Sequence, residues 1–428
     1  MNKKAIMWGA IAVTMACTQV QAAAWTVNGD LRERYQSFNN LDFNSAVSNN
    51  SSEFDSRLYL KVKGDFGNGL TVYLQPQAIV TKTKTQTNGT QNFSQADLRQ
   101  AYLQYDKGNY GVRIGRQELV YGDQRLLGNL DWQDVSRTFD GVKAMYNNNA
   151  LSVDAFAVHP ADIVAMTPTT TTPQGESLVT WEDRTLIGVY ATYKVAPKTG
   201  IDTYIINWKH GQQASVGKGR NFNTFGARGF GKWGGFDTTA EAVFQRGTWK
   251  TGTTQKASAY AVKAGYTFDA WKTRLGIEYD YSPGDATPGV GSQKDFVFPF
   301  HTNHALYGEM DFFSWANMKD IILSAKTSPI EGLNFIGNVH FLSLDKATGD
   351  WRSVAGVGKN VFNGKSTYTQ TKAGTEIDLK AVYKVAAVKG LKLVAQYGMF
   401  NPGAAVTERN AGKADKATFA YFIAQYAF

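Results

Sequence analysis

Arginine and lysine residues recur at alternate positions in many short segments of this sequence, with acidic residues among them. The cations that share this arrangement are Arg32, Arg34, Arg57, Arg113, Lys143, Arg184, Arg228, Lys263 and Arg274, and the acids include Glu241 and Glu278. A planar guanidinium group can donate two hydrogen bonds to one carboxylate, and rings of Arg or Lys make a pore favour anions. The set therefore predicts an anion-binding surface, unless each cation pairs with a nearby acid and only braces the structure.

Tyrosines accompany these charges at the polar positions, namely Tyr59, Tyr73, Tyr102 and Tyr190. An aromatic ring can stack on the apolar face of a sugar while its hydroxyl group forms a hydrogen bond. Tyrosine is also common in strands and in membrane-interface girdles. The tyrosines therefore fit a carbohydrate-binding surface and, equally, ordinary strand structure.

The sequence lacks a pattern typical of a catalytic or metal site. None of its five histidines stands in a recognisable arrangement with a nucleophilic side chain. His301 and His304 are three residues apart but have no third ligand nearby. The basic residues are dispersed and form no contiguous patch for a nucleic acid. We therefore expect no enzyme activity, no cofactor, no metal and no nucleic-acid partner.

The elements that carry these residues have a period of two, which is typical of strands. In 271–281, apolar residues such as Leu275 and Ile277 alternate with charged residues and glycine, and 419–428 alternates in the same way up to the last residue. About eighteen such segments can be counted, and the connections between them are alternately short and long. This is the plan of an all-β, transmembrane antiparallel β-barrel with short periplasmic turns and long extracellular loops.

The first residues, 1–24, have the character of a secretory signal peptide. Lys3 and Lys4 precede a short apolar run, and small residues follow at 22–24. The only cysteine, Cys17, lies in this segment. We therefore expect the signal peptide to be removed and residues 25–428 to form one barrel domain in the bacterial outer membrane. The formal charge of +9 favours anionic partners.

Two of the predicted long loops are unusually apolar. Loop 118–136 contains four leucines and a tryptophan, and loop 283–316 contains several phenylalanines. We expect the first to fold into the lumen and constrict it, and the second to cover the pore or extend the barrel wall. The other long loops are polar and are expected to be solvated; they are predicted at 39–52, 81–95, 159–181 and 345–374.

Several motifs resemble those of the alginate-export family of outer-membrane porins. They are Arg-Ile-Gly-Arg-Gln-Glu at 113–118, Tyr-Gly-Asp-Gln-Arg at 121–125, Trp132 with Arg-Thr-Phe-Asp-Gly at 137–141, and the segments 96–102 and 304–310. The resemblance spans most of the chain after the signal peptide. It implies a monomeric barrel of about eighteen strands, with a constricted, arginine-rich pore that passes a polyuronate.

The resemblance also adds four candidate pore residues, because Arg116 and Glu118 stand in the first motif and Arg137 and Asp140 in the second. Strict alternation would place Arg116 on the lipid side, where an arginine at mid-depth costs about 2–4 kcal/mol. We therefore expect a bulge at Gly115 that turns Arg116 into the lumen. The alternative is that the segment has already left the membrane at this point.

The sequence thus predicts an outer-membrane porin that passes an anionic carbohydrate by passive diffusion through an arginine-lined pore. Its partners would be alginate, or related uronate polymers or oligomers, and outer-membrane lipid. The alternative is a general diffusion porin for small organic anions or neutral solutes.

Overall fold

A computed structural model of the chain describes residues 24–47, 50–85, 89–161, 184–210, 219–250, 252–287, 291–297, 300–302, 304, 306–353 and 362–428. The predicted signal peptide, apart from its last residue, lies outside the described residues. Most of the predicted loop 159–181 also lies outside them.

The described residues contain nineteen strands, and eighteen of these form one closed antiparallel β-barrel. In chain order the strands are β1 (Ala24–Asn39), β2 (Ser51–Asp65), β3 (Leu70–Thr85), β4 (Gly89–Lys107), β5 (Tyr110–Gln117), β6 (Phe139–Asn147), β7 (Leu151–Pro160), β8 (Arg184–Ala196), β9 (Thr199–His210), β10 (Asn221–Trp233), β11 (Phe236–Lys250), β12 (Thr253–Thr267), β13 (Arg274–Ser282), β14 (Ser292–Gln293), β15 (Met318–Ile330), β16 (Leu333–Ser343), β17 (Lys372–Lys384), β18 (Leu391–Pro402) and β19 (Ala417–Ala427). Strand β14 is a two-residue piece of a loop that pairs parallel with β12. The predicted fold class is therefore confirmed.

The barrel closes because β19 pairs with both β18 and β1. Gly29 and Phe428 exchange two backbone hydrogen bonds, of 2.7 and 3.0 Å. A Cβ atom on Gly29 would lie 2.1 Å from Cζ of Phe428, so only glycine leaves room for the terminal ring at this seam. The last residues thus satisfy backbone groups that would otherwise be unpaired at a sheet edge.

The two faces of the wall differ in polarity, as the alternation predicts. On β13, Leu275 and Ile277 point outward and are 51% and 54% exposed, whereas Asp280 points into the lumen and is buried. The strand begins later than predicted, because Trp271 lies in a 3₁₀ turn (Ala270–Lys272) with a positive φ of 49°. The exposed apolar face is the surface that the bilayer hydrocarbon covers.

The connections at the two ends of the barrel differ in length. At the end that holds Ala24 and Ala427, called the turn end, eight connections of six residues or fewer join the strands. At the other end, called the loop end, there are nine connections, of which 86–88 and 251–252 are short. A short helix, α1 (Ala404–Arg409), lies in the loop between β18 and β19. Among the described residues, no helix has the length and apolar character needed to cross a membrane.

The prediction of a long loop at 81–95 is wrong. Strand β3 continues to Thr85 and β4 begins at Gly89, and Thr81–Phe93 and Thr83–Gln91 are paired across this hairpin. The Thr-rich and Gln-rich composition suggested a solvated loop. Threonine nevertheless has a high strand propensity when a partner strand is available, so β3 and β4 extend through most of the stretch that was predicted as a loop.

Two loops, named L3 (118–138) and L7 (283–317), supply much of the buried interior. Phe296, Phe300 and Phe313 of L7 are almost fully buried, and Leu119 and Leu127 of L3 belong to the same hydrophobic cluster. Both loops are therefore part of the core of the protein, and L3 lies inside the barrel as its apolar residues predicted.

Candidate functional site

A group of arginines on β1 and β2 holds L3 inside the lumen. Arg32 and Arg34 face Asp55 on the next strand, with Arg32 Nη2 3.1 Å from Asp55 Oδ1 and Arg34 Nε 2.6 Å from Oδ2. Arg32 Nη2 and Arg34 Nη2 lie 3.0 and 2.6 Å from Oδ1 of Asp134 in L3. We call Arg32, Arg34, Asp55 and Arg57 the L3 clamp.

The clamp also binds the backbone of L3. Arg57 Nη1 donates to the carbonyl oxygen of Asp131 at 2.8 Å, and Arg34 Nη1 donates to that of Trp132 at 2.5 Å. The guanidinium carbon of Arg34 lies 4.4 Å from the centre of a Trp132 ring. Arg32, Arg34 and Arg57 are 1–3% exposed. Apart from the buried Nε atoms of Arg32 and Arg57, their donors are therefore bound to Asp55 and to L3 and not to a solute in the pore.

The bulge expected at Gly115 does not occur, and a bulge lies on the neighbouring strand. The ladders of β5 with β4 and β6 show no register shift. In the β3–β4 ladder the register shifts beside Pro76, and Arg99 has no partner across the ladder. A proline lacks the N–H that a regular ladder needs, so Pro76 was the sequence feature that could have located the bulge. Gly115 instead has a φ of +126°, which only glycine adopts readily.

The bulge brings Arg99, which was not among the predicted site residues, into the lumen. Arg99 is 5% exposed. It donates to Gln75 Oε1 at 2.9 Å, forms an ion pair with Glu118, and lies 4.7 Å from the centre of the Tyr59 ring. Arg99 thus fixes Glu118, the first residue of L3, as the clamp fixes Asp131 and its neighbours.

Arg116 forms a bidentate ion pair at the rim of the barrel. Its Nε and Nη2 atoms donate to the two carboxylate oxygens of Asp140, at 2.8 and 2.9 Å. By register Arg116 continues the face of Ile114, and it lies one residue before β5 ends. The pair thus lies at the loop end and not at mid-depth. This agrees with the second alternative, that the segment has already left the membrane at this point.

Arg137 joins L3 to L7 without a carboxylate partner among the described residues. Its Nη1 atom donates to the carbonyl oxygens of His301 and Gly128, at 2.9 and 3.3 Å. Burial lowers the pKa of Arg137 to about 10. This arginine therefore supports the packing of two loops.

The far end of L3 is anchored to the opposite wall. Arg125 forms an ion pair with Glu278, lies 3.2 Å from Asp280, and donates to the hydroxyl group of Tyr307 at 3.1 Å. Arg125 is 3% exposed and Asp280 is fully buried. The contact crosses the lumen from L3 to β13 and includes one residue of L7.

Asp123 makes a second contact of this kind. Its carboxylate lies 2.6 Å from Arg228 Nη2 and forms an ion pair with Lys263. Arg228 also lies 2.8 Å from Asp202. Two predicted cations, on β10 and β12, thus bind an acid of L3.

Lys143 and Glu241, two further predicted residues, also have partners. Lys143 lies 3.0 Å from Asp154, which accepts a hydrogen bond of 2.8 Å from Tyr121 of L3. Glu241 accepts a hydrogen bond of 2.6 Å from the hydroxyl group of Tyr204. Both residues therefore contribute to the wall around L3.

L7 is held by a buried histidine that packs on L3. The ring of His304 stacks on Trp132, with centres 3.8 Å apart, and its nitrogens lie 2.7 Å from Glu309 and 3.1 Å from Asp311. Burial disfavours the charged histidine, but the two carboxylates outweigh it and raise the pKa of His304. Burial likewise opposes ionisation of Glu309, but His304 and Lys380 lower the pKa of Glu309 to about 2.

Tyrosines and one predicted arginine form a strip on the lumen face of β3, β4 and β5. Tyr73 and Tyr102 stack with their centres 5.0 Å apart, and the guanidinium carbon of Arg113 lies 4.1 Å from the centre of the Tyr102 ring. Nε and Nη2 of Arg113 donate to Oε1 of Gln104, at 2.8 and 2.6 Å. No described carboxylate lies within 4 Å of Arg113. We call Tyr73, Tyr102 and Arg113 the tyrosine–arginine strip.

The family described as alginate export matches residues 24–420, which is nearly the whole described chain. The chain belongs to the alginate export family.

Solved structures agree with this assignment at the level of the fold. OccK7 (OpdD) of Pseudomonas aeruginosa is 11% identical, with 94% of this chain and 98% of that chain covered and a TM-score of 0.61. OccK11 (OpdR) of the same organism is 12% identical, with 94% and 96% covered and a TM-score of 0.61. A search of curated proteins found no match. Together, the closed barrel and the family establish an outer-membrane porin.

The predicted residues do not converge on one site in this alginate export family member. Arg274 lies near the turn end and binds both oxygens of Asp237, at 2.8 and 2.6 Å. Arg184 is the first residue of β8, at the loop end, and its carbonyl oxygen contacts His159. The predicted set therefore divides into residues that contact L3 or lie in the wall around it, Arg113 of the tyrosine–arginine strip, the Arg116–Asp140 pair at the rim, and these outlying positions.

Glu53, Asp55 and Asp134 form the one group of acids among the described residues with a spacing that could hold a metal ion. Arg32 and Arg34 already lie against Asp55 and Asp134. Two guanidinium groups supply the positive charge that a cation would bring. The group is therefore explained as part of the clamp and its surroundings.

Proposed function

We propose that this porin favours anionic carbohydrates, namely uronate polymers or oligomers such as alginate, and passes them by passive diffusion as a monomer without a chemical step. The observation that carries the proposal is the state of Arg113. This lumen arginine is bound to the neutral Gln104, stacks on Tyr102, and has no described acid within 4 Å.

The strip matches the two features of a uronate. Tyr102 lies between Tyr73 and Arg113, so the stacking surface that the strip offers to a sugar ring is the face of Tyr73 that points away from Tyr102. Arg113 uses Nε and Nη2 for Gln104, and its Nη1 atom donates to none of the described residues. This Nη1 atom can thus bind a carboxylate of a uronate chain that lies along the strip.

A structural neighbour supports the substrate class. The structure of OccK2 (OpdF) of Pseudomonas aeruginosa, in complex with glucuronate, is 12% identical to this chain, with 95% of this chain and 99% of that chain covered and a TM-score of 0.57. A uronate is therefore a ligand of one barrel of this fold.

Passage requires that binding be weak enough for release. The strip offers a single arginine without an acid, while Asp154 lies nearby against Lys143, which faces Arg113 across the β5–β6 ladder. Acids close to the cations limit the affinity for a carboxylate. The arrangement therefore favours weak binding of the solute, followed by its release.

The second candidate is a general diffusion porin for small organic anions or neutral solutes. It is favoured by the ion pairs of the other lumen arginines. The three clamp arginines contact acids, and so do Arg99, Arg125 and Arg228. A wall in which most charges are neutralised would discriminate little between solutes.

The test is a bilayer measurement with the purified porin. The reversal potential under a salt gradient gives the ion preference, and the current is then titrated with an oligouronate and with a neutral oligosaccharide of equal length. We expect anion preference, block by the oligouronate alone, and about tenfold weaker block in Arg113→Gln, or about 1.4 kcal/mol.

The matched control is Lys107→Gln, which removes one charge at the turn end from the outward face of β4. It should leave the block unchanged. A current that is indifferent to oligouronate would reject the uronate assignment and leave the general porin. Equal block in Arg113→Gln and Lys107→Gln would reject the role of the strip.

A further inference from the structure

Four lysines face the lumen near the turn end, on strands that flank the seam of the barrel. Lys61 and Lys63 lie on β2, Lys384 is the last residue of β17, and Lys392 lies on β18. By alternation they share the inward face with buried residues of the same strands, such as Arg57. We call these four residues the lysine patch.

The lysine patch lacks the acids that accompany the lumen arginines. Lysine ion pairs occur elsewhere in the described chain, but none includes a member of the patch. Two acids near the seam have other partners: Asp30 accepts a hydrogen bond of 2.7 Å from Gln425, and Asp131 of L3 is engaged by Arg57. The charge of the patch therefore remains available to a solute.

The placement of two lysines opposite each other is unfavourable without a ligand. Lys384 and Lys392 are direct partners across the β17–β18 ladder. Like charges at opposed positions destabilise a sheet. A bound anion would offset that repulsion, which gives the pair a physical reason to be tolerated.

The patch is continuous with the tyrosine–arginine strip. Lys63 is the partner of Tyr73 across the β2–β3 ladder, and Tyr73 is the partner of Tyr102 across the next ladder. Around the lumen face, the lysines of the patch are thus followed by the two tyrosine rings and then by Arg113. An anionic chain could remain in contact along this path.

We propose that the lysine patch is a capture site for polyanions that arrive from the turn end, which is the predicted periplasmic side. The proposal rests on the proposed function for its substrate class, a polycarboxylate. Lysine is a flexible point charge that accepts many geometries, whereas a stacked arginine is selective. Clustered charge in a cleft raises the rate at which an oppositely charged solute arrives, so the patch would attract the chain and the strip would bind it.

The experiment compares two fourfold variants of the full protein in planar bilayers. The patch variant carries Lys61→Gln, Lys63→Gln, Lys384→Gln and Lys392→Gln. The control variant carries Lys107→Gln, Lys198→Gln, Lys272→Gln and Lys389→Gln, which are exposed positions in or beside the turns. Both variants lose the same charge from the same end of the barrel. An oligouronate and inorganic polyphosphate are added in turn to one chamber at a time.

We expect the on-rate of block in the patch variant to fall about tenfold from one chamber only, with the control variant unchanged. If the patch variant and the control variant are blocked alike by both anions, the capture site is rejected, while block of the native porin by oligouronate would still support the proposed function. If oligouronate fails to block the native porin but polyphosphate block depends on the patch, the site stands as a general polyanion site and the uronate assignment is rejected.

Discussion

The L3 clamp and the lysine patch are two sets of lumen cations on neighbouring strands, and they differ in their partners. The clamp arginines contact Asp55, Asp134 and the backbone of L3, and they are almost fully buried. Lys63 and Lys384 are exposed and have no described acid within 4 Å. The clamp cations therefore serve a structural contact, whereas the lysines of the patch form no ion pair with the described residues.

This difference shows why counting lumen arginines overestimates the anion-binding capacity of a pore. A buried cation with an acid on each side has exchanged its water for protein partners, and its removal leaves an unpaired buried charge. An exposed lysine keeps its hydration and acts on solutes through its field. Pairing, and not residue type, separates the two roles.

The largest expected effect is that of Asp55→Asn in the clamp. Asp55 is fully buried between Arg32 and Arg34, so its neutralisation leaves two buried guanidinium groups that share only the carboxylate of Asp134. We expect the free energy of unfolding to fall by about 3–5 kcal/mol and the single-channel conductance to rise as L3 loosens. Urea titration of the protein in lipid vesicles measures the first, and bilayer recording measures the second.

Asp237→Asn is the matched control for this change. Asp237 also binds an arginine through both oxygens, but its side chain and that of Arg274 are 26% and 27% exposed. An exposed pair contributes about 0–1 kcal/mol. Equal losses in the two variants would show that burial does not distinguish the clamp from the turn end.

We expect a change of pH to have an intermediate effect on the contacts between His304 and the carboxylates of Glu309 and Asp311, which hold L7 in place. The pKa of His304 is raised in the folded protein relative to the ordinary value of 6.5, through Asp311 and Glu309. The contribution of the charged histidine is thus fully present below about pH 6.5 and is lost as the pH rises through the raised pKa. Each unit of the rise corresponds to about 1.4 kcal/mol. Glu309, with a pKa of about 2, stays ionised throughout.

Limited proteolysis of L7 at several pH values would measure this loss. We expect cleavage to become faster above the raised pKa in the native chain. His304→Gln should be cleaved at a rate that does not vary with pH in this range. A native rate that is flat from about pH 6 to about pH 9 would show that His304 does not control the anchor.

Much of the fold follows from the alternation in the sequence, because a period of two assigns each side chain to the lipid or to the lumen. The segment around Leu275 and Ile277 has the predicted faces, although its strand starts at Arg274. The pairing of 81–85 with 89–93 was missed, because a polar segment has the composition of a loop and its partner strand is not known from composition. Strand pairing is a property of two segments, and composition describes only one.

The site was less predictable, since the partners of the arginines come from a loop that crosses the lumen. Arg32 and Asp134 are 102 residues apart in sequence. Alternation places Arg32 on the inner face but does not say that L3 will lie against it. The bulge at Arg99 shows the same limit, because one extra residue reverses the assignment of faces. Pro76 was the one local sequence feature that could have indicated this bulge.

The smallest effect should come from exchanging the two types of cation between the strip and the lysine patch. Arg113→Lys keeps the charge but loses the planar group that stacks on Tyr102 and donates to Gln104. We expect oligouronate block to weaken about threefold, or about 0.65 kcal/mol. Lys392→Arg in the patch should leave the block unchanged, since capture depends on charge and not on geometry. A loss in Lys392→Arg equal to that in Arg113→Lys would mean that both regions bind the saccharide in the same way.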